Sequence, residues 1–214
     1  MKYIIELTNI CNMRCSMCPR NHIDMKLGFM SLATWHNIIS DIPAGSTILP
    51  FWRGESTLHP YFCEMIDDLK EYNVVLATNG TNPNRIIMSL NRLSAINVSI
   101  HNIESYDGYL KIKEHVFGSS PNVIASTVEG EDFFTNADRY YRRHTINGEW
   151  GRVNGIKSDI GRGKTCVRLS ETVFSWDGGQ GRCCYVWDTE IPIGPYPDEV
   201  CKKCSQWIGN GKTI

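Results

Sequence analysis

Three cysteines near the start of the sequence, Cys11, Cys15 and Cys18, have types and spacing that could do chemistry. Steps of four and three residues also suit one face of a helix, but Asn12 and Pro19 make this segment a poor helix. Structural zinc normally takes four protein ligands, whereas three thiolates in one loop suit an iron–sulfur cluster with one iron open to another ligand. The segment therefore predicts a metal centre with a free coordination position.

A second group of cysteines lies near the other end of the sequence, and its members are Cys166, Cys183, Cys184, Cys201 and Cys204. Four of them, with Cys183 and Cys184 competing for one position, would suit either structural zinc or an auxiliary iron–sulfur cluster. The spacing alone leaves both metals open. The remaining cysteine, Cys63, falls inside a predicted helix, where a buried free thiol is expected.

The composition is that of an ordinary globular protein. The 214 residues are 42% hydrophobic and 21% charged, with a formal net charge of -1, which does not match the basic surface of a nucleic-acid-binding protein. The apolar run at the N-terminus is too short for a signal peptide, and no run has the length of a membrane span. We therefore expect a cytoplasmic protein without a membrane or nucleic-acid partner, in which clustered cysteines bind metal rather than form disulfides.

Short apolar runs alternate with helix-period segments through the first two thirds of the sequence. Strands are predicted at 3–7, 47–52, 74–78, 96–101, 122–127 and 139–147, and helices at 31–42, 60–72, 84–93 and 106–115. This order predicts an α/β fold of about six parallel strands, either as an open sheet or as a partial barrel. In both forms, chemistry collects at the carboxyl ends of the strands, and the first three cysteines follow the first strand.

The sequence predicts a change of character near residue 148. Residues 1–148 would form the strand–helix domain, and 149–214 a linker followed by a small cysteine-rich module. That module contains a predicted β-hairpin that turns at "DGGQG" (177–181). A segment so short has little room for a core, so we expect metal to stabilise it.

The first cysteine motif resembles that of the radical S-adenosylmethionine (radical SAM) superfamily, C-x3-C-x2-C in the loop after the first strand. The resemblance implies a shortened partial (β/α) barrel, in which Cys11, Cys15 and Cys18 hold a 4Fe–4S cluster whose open iron binds S-adenosylmethionine. It further implies an enzyme of oxidoreductase or modifying type, in which the cofactor yields a 5′-deoxyadenosyl radical that abstracts hydrogen from a substrate.

Three later segments also resemble this superfamily: "RGEST" (53–57), "LATNG" (76–80) and "VSIHN" (98–102). The Gly-Glu pair of the first segment resembles the motif that binds the methionine ammonium group, although Arg53 replaces its first glycine. The cofactor-binding residues that the resemblance implies are Met17, Gly54, Glu55, Thr78, Asn79, Ser99 and Asn102.

The C-terminal cysteines resemble the SPASM/twitch modules of one radical SAM subgroup, and their number matches the shorter twitch form. This implies one auxiliary 4Fe–4S cluster, with Cys183 favoured over Cys184 and zinc as the alternative. The resemblance implies oxidation or modification of a peptide or small molecule, with an electron donor such as flavodoxin or ferredoxin. The contrasting hypothesis is a non-catalytic protein stabilised by zinc or iron–sulfur, for binding or electron transfer.

Overall fold

A computed structural model describes residues 1–15, 18–21, 24–118, 120–128, 139–141, 165–166, 171–181 and 207–208. Strands and helices alternate in the first part: β1 (Lys2–Ile5), α1 (Leu32–Ser40), β2 (Thr47–Leu49), α2 (Phe62–Asp67), β3 (Asn73–Thr78), α3 (Pro83–Ile87), β4 (Leu93–Ser99), α4 (Ile103–Glu114) and β5 (Asn122–Val128). Five short strands follow: β6 (Arg139–Tyr141), β7 (Thr165–Cys166), β8 (Glu171–Phe174), β9 (Gln180–Gly181) and β10 (Trp207–Ile208). Short 3-10 helices span Pro19–Asn21, Ser56–Leu58 and Leu90–Arg92.

The main sheet has the order β6-β5-β4-β3-β2-β1-β8-β9. All neighbours pair in parallel except β8 and β9, which are antiparallel. The strands from β1 to β6 lie side by side in chain order, and right-handed crossovers in one direction place their connecting helices on one face. The α/β prediction is confirmed, and the six predicted strands form the greater part of this sheet.

The core lies between the sheet and the helices. Alternate strand residues such as Val74, Leu76, Ile96 and Val98 point toward the helices and are completely buried. Their neighbours in sequence face the other side of the sheet, where a cavity of about 370 Å³ is lined in part by Val75, Ala77, Asn97 and Ile124. The sheet thus has one face packed on helices and one that borders a cavity.

Local signals set most of the element boundaries. Ser31 caps α1 by accepting a hydrogen bond from the Thr34 amide (3.0 Å), as predicted. β2 ends at Leu49, before Pro50, which cannot donate to a neighbouring strand. The predicted helix over 84–93 is shorter: α3 ends at Ile87, the 3-10 helix Leu90–Arg92 follows, and β4 begins at Leu93.

The C-terminal hairpin differs from the architecture expected for it. β8 and β9 form the predicted antiparallel hairpin, but β8 also pairs in parallel with β1, from Lys2 opposite Glu171 to Ile5 opposite Phe174. The hairpin is therefore part of the main sheet. Its strand β8 pairs with the edge of β1 that does not pair with β2. β7 and β10 form a separate two-stranded sheet, and the division of the chain at residue 148 stays a prediction.

None of the helices among the described residues is long and apolar enough to cross a membrane.

Candidate functional site

The first cysteine motif lies in the loop after β1, as predicted. Cys11, Cys15 and Cys18 are partly exposed and form no disulfide among the described residues. The loop turns tightly, since the Cys18 amide donates to the Cys15 carbonyl (2.9 Å), which also accepts from Asn21 Nδ2 (2.8 Å). Arg20 Nη2 donates to the Cys11 carbonyl (3.4 Å). The three thiols therefore share one short segment that the backbone and two polar side chains hold together.

The thiols do not form a closed metal site in this arrangement. Over the described ranges of the chain, no three Cys, His, Asp or Glu side chains lie close enough together to bind a metal ion. Burial raises the pKa of the Cys11 thiol; the Met13 amide opposes this rise, and the nearby Glu55 carboxylate adds to it. Three cysteines in one loop still match the donor set of an iron–sulfur cluster, so this ligand assignment remains a prediction.

Gly54 brings the loop after β2 against the loop after β1. A Cβ at this position would fall 2.6 Å from the Ile10 carbonyl oxygen and closer still to that of Thr8. The next amide, that of Glu55, donates to the Ile10 carbonyl (2.9 Å). Gly54 is therefore required for the contact between the two backbones, directly before the cysteine motif.

The Glu55 carboxylate joins the ends of two strands. It is buried and accepts hydrogen bonds from Thr57 Oγ1 (2.7 Å), the Thr57 amide (3.2 Å), Thr78 Oγ1 (2.9 Å) and the Asn79 amide (2.7 Å). Four donors match the roughly four lone-pair positions of a carboxylate. Glu55 thus fixes the end of β3 relative to the loop after β2.

Asn79 carries this connection to the cysteine loop. Its Nδ2 donates to Asn12 Oδ1 (2.8 Å) and lies 3.9 Å from the Cys11 sulfur, while its Oδ1 accepts from Thr81 Oγ1 (2.7 Å). Asn12 Nδ2 closes the network on Thr81 Oγ1 (2.9 Å). Sequence reasoning missed Asn12 and Thr81 as site residues, although both lie next to predicted ones. The structure brings together Cys11, Glu55 and Asn79 at neighbouring strand ends.

A buried ion pair lies beside this network. Arg53 donates to Glu6 through Nε (2.7 Å) and Nη2 (2.6 Å), and the two side chains are 3% and 0% exposed. Sequence reasoning missed Glu6 and treated Arg53 only as a departure from a glycine motif. The available signal was an acidic residue that directly follows an apolar strand, because a carboxylate rarely lies there without a partner.

The two predicted residues at the end of β4 and directly after it belong to the next strand of the sheet, beyond β3. Ser99 ends β4 opposite Ser126 of β5. Asn102 caps α4, because its Oδ1 accepts from the Ser105 amide (2.8 Å) and from Ser105 Oγ (2.9 Å). The carboxamide oxygen of Asn102 therefore acts as the N-cap of α4.

The remaining predicted ligands are only partly described. Met17, Cys183, Cys184, Cys201 and Cys204 lie outside the described residues. Cys166 lies in β7, opposite Trp207 of β10 in an antiparallel pair.

Segment 26–30 covers the other side of the loop after β1. Thr8 Oγ1 donates to the Gly28 carbonyl (2.7 Å), and Asn9 Oδ1 accepts from the Gly28 amide (2.9 Å). Buried His59 supports this segment: its Nδ1 accepts from the Tyr61 amide (3.1 Å), which leaves Nε2 to donate to the Met30 carbonyl (2.8 Å). Burial lowers the pKa of His59, so the ring is neutral near pH 7.

Several known proteins resemble this chain. No family model matches the sequence. A protein from Pyrococcus furiosus, named tungsten-containing aldehyde ferredoxin oxidoreductase cofactor-modifying protein, is 36% identical over 87 residues. That match covers 38% of this chain and 24% of the relative, so the chain matches about a quarter of that protein's length.

Two solved structures share the fold over most of the chain. BtrN in complex with AdoMet and 2-DOIA aligns with a TM-score of 0.64 and 15% identity, and the match covers 94% of this chain and 80% of that one. Native anSMEcpe with bound AdoMet and Cp18Cys peptide aligns with a TM-score of 0.59 and 14% identity, over 94% of this chain and 78% of that one. At these identities the likeness shows the fold alone.

Proposed function

We propose that this chain is a radical SAM enzyme that modifies or oxidises a peptide or a small molecule. One observation carries the proposal: Cys11 of the cysteine loop, Glu55 after β2 and Asn79 after β3 converge at the carboxyl ends of neighbouring parallel strands. This edge is where open and barrel α/β folds bind their ligands.

The donor set of the loop fits a 4Fe–4S cluster with one open iron, held by Cys11, Cys15 and Cys18. With S-adenosylmethionine bound to that iron, the cluster would supply the one electron for cleavage of the cofactor into methionine and a 5′-deoxyadenosyl radical. The protein's part is to position the cofactor against a substrate C–H bond and to exclude water.

Glu55 is the proposed partner of the methionine ammonium group. Two of its four donors are the hydroxyls of Thr57 and Thr78, which can rotate away, whereas the amides of Thr57 and Asn79 are fixed by the backbone. An ammonium group can therefore replace a hydroxyl without moving the strand ends. In the proposed site, Gly54, Thr78 and Asn79 line the same pocket, while Met17, Ser99 and Asn102 contact the rest of the cofactor or the substrate.

The likeness to known proteins supports this proposal, and the ligands of the structural neighbours belong to the two proposed substrate classes. The two structural neighbours were solved with AdoMet, one with 2-DOIA and the other with a peptide. The Pyrococcus relative is named for modifying the cofactor of another enzyme. A peptide and a small molecule both remain within the proposal.

The second cysteine group is the proposed auxiliary site, with a 4Fe–4S cluster favoured over zinc. Its ligands would be Cys166, one of Cys183 and Cys184, Cys201 and Cys204. The pairing of Cys166 with Trp207 supports a common module, because Trp207 follows Cys204 closely in the chain. An auxiliary cluster can accept an electron from a substrate radical, and a carrier such as flavodoxin or ferredoxin would reduce the first cluster.

Anaerobic purification followed by a count of iron and sulfide tests the proposal. We expect about eight irons per chain, four for each cluster, and formation of 5′-deoxyadenosine after addition of dithionite and S-adenosylmethionine. The Cys15→Ser variant should lose about half of the iron and all of the cleavage product. Cys63→Ser is the matched control, since Cys63 lies on α2 with its sulfur 3.7 Å from the Arg85 carbonyl, and it should keep both.

A different result would favour a non-catalytic protein. A chain that binds zinc at both sites and leaves S-adenosylmethionine intact would overturn the proposed activity. Iron in both sites without cleavage would indicate electron transfer instead.

A further inference from the structure

Glu6 lies at the centre of a buried hydrogen-bond network that no predicted role explains. It directly follows β1, between the core residues Ile5 and Leu7, so strand alternation points it away from the helices. Its carboxylate accepts from Nε, Nη2 and the main-chain amide of Arg53, and also from the Trp176 amide (3.2 Å). All four lone-pair positions of this carboxylate are therefore used.

The two ends of this network belong to distant parts of the chain. Trp176 follows β8 in the turn of the C-terminal hairpin, 170 positions after Glu6. Its indole ring lies where a Cβ on Gly28 would be, so the turn packs closely on segment 26–30. Glu6 thus ties the hairpin to the loop that contains Arg53.

Arg53 connects the same network to the proposed cofactor pocket. Its guanidinium stacks 4.1 Å from the centre of the Trp52 ring, and its main chain continues directly into Gly54 and Glu55. Glu55 then fixes Asn79, whose side chain reaches the Cys11 sulfur. One chain of contacts therefore runs from the hairpin turn through Glu6 to the first cysteine.

Stability alone is a weak explanation for this ion pair. Two buried charges lose their hydration, and apolar residues of similar size often fill such a position equally well. A bidentate guanidinium–carboxylate pair does, however, fix position and angle more tightly than apolar packing. We therefore ascribe to the Glu6–Arg53 pair a role in fixing the position and angle of the loop that contains Arg53.

We propose that Glu6 is a positioning residue that couples docking of the C-terminal hairpin to the shape of the S-adenosylmethionine pocket. This inference rests on the proposed function. Through Arg53, the Glu6 carboxylate holds Gly54 and Glu55 against the cysteine loop only when the Trp176 amide completes its set of donors. The affinity for S-adenosylmethionine therefore depends on the hairpin.

The Glu6→Gln variant tests this coupling in the anaerobically reconstituted full chain. We expect its affinity for S-adenosylmethionine, followed by the change in the electron paramagnetic resonance spectrum of the reduced cluster, to fall at least tenfold. Its iron content should equal that of the wild type. Asp67→Asn is the matched control, because it breaks the exposed Asp67–Arg92 pair (2.8 Å) and should change neither value.

A second measurement needs no cofactor. Hydrogen exchange in peptides that contain Asn79 should become faster in Glu6→Gln, since the Asn79 amide donates to Glu55. If Glu6→Gln does not fold, the double variant Glu6→Leu/Arg53→Met removes both charges and leaves neither unpaired. That variant should fold and show the same weak binding.

The outcomes separate this inference from the proposed function. If S-adenosylmethionine does not change the cluster spectrum of the wild-type protein, the proposed function is refuted, whatever the variants do. Wild-type protein that binds, together with a folded Glu6 variant of equal affinity and unchanged exchange at Asn79, would refute the coupling.

Discussion

Glu55 and Asn79 are joined by a hydrogen bond of 2.7 Å, from the Asn79 amide to Glu55 Oε2. The bond links two loops that follow neighbouring parallel strands. Because the Asn79 side chain then contacts both Asn12 and Cys11, this bond also sets the position of the cysteine loop. The carboxylate is thus a structural centre as well as the proposed ligand of the cofactor.

The Glu55→Gln substitution should damage both roles. The substitution replaces one carboxylate oxygen with an NH2 group and removes the charge. The NH2 group, itself a donor, would then face another donor, either the Asn79 amide or the donors of Thr57 and Thr78. We expect the free energy of unfolding to fall by about 1–3 kcal/mol. Binding of S-adenosylmethionine should weaken more than tenfold in a spectroscopic titration. Glu64→Gln on the exposed side of α2 is the control, and an equal loss there would contradict this explanation.

The Gly54→Ala substitution should separate the two loops. Its methyl group would overlap the carbonyls of Thr8 and Ile10, which are backbone atoms that cannot rotate away. Such overpacking typically costs about 1–3 kcal/mol, and we expect the upper end in a denaturant titration. Iron retention at the first site should fall as well. Among the described residues, a methyl group at Gly181 would come no closer than 4.0 Å, to the Val173 carbonyl, so Gly181→Ala should behave like the wild type.

His59 should make the protein less stable in mild acid. Burial lowers its pKa in the folded state below the value of about 6.5 in the unfolded chain, so the unfolded state binds the proton more readily. This contribution is fully present above about pH 6.5 and is lost as the pH falls through the folded pKa. The slope for one proton is at most about 1.4 kcal/mol per pH unit.

Chemical denaturation between pH 7.5 and 5 measures this effect. The His59→Gln variant should show a shallower decrease than the wild type, because it lacks the buried imidazole. Identical pH profiles for the two proteins would show that His59 carries no such linkage.

Separate serine variants of Cys183 and Cys184 should differ in metal content. The sequence favours Cys183 as the ligand, so Cys183→Ser should lose the auxiliary metal, about four irons for a 4Fe–4S cluster. Cys184→Ser should keep it. Equal loss in both variants, or loss only from Cys184→Ser, would reverse the assignment. Zinc analysis of the same samples distinguishes the two metals.

Much of the fold follows from local sequence. The strand–helix alternation, the Ser31 cap and the position of the cysteines after β1 depend on neighbouring residues, and the sequence predicts all three. The Gly-Glu pair in "RGEST" also lies at a close contact in the structure. Gly54 contacts the backbone of the cysteine loop, and the Glu55 amide donates to the Ile10 carbonyl.

The remaining features depend on residues far apart in the chain. The sequence predicts the C-terminal hairpin but not its pairing with β1, because parallel pairing of distant strands leaves no local signal. Arg53 resembles an imperfect motif in the sequence, because its partner Glu6 lies 47 positions away in the chain. Asn12 and Thr81 acquire their role only when Asn79 lies between them.

The place of β1 in the sheet has a consequence for synthesis. β1 leaves the ribosome well before β8, yet the two strands pair along one edge of β1. At about 5–20 residues per second, translation of the 170 positions between Glu6 and Trp176 takes on the order of ten seconds. During that time the nascent sheet has an open edge that chaperones or another chain can reach. Premature termination before β8 should therefore yield an aggregating fragment.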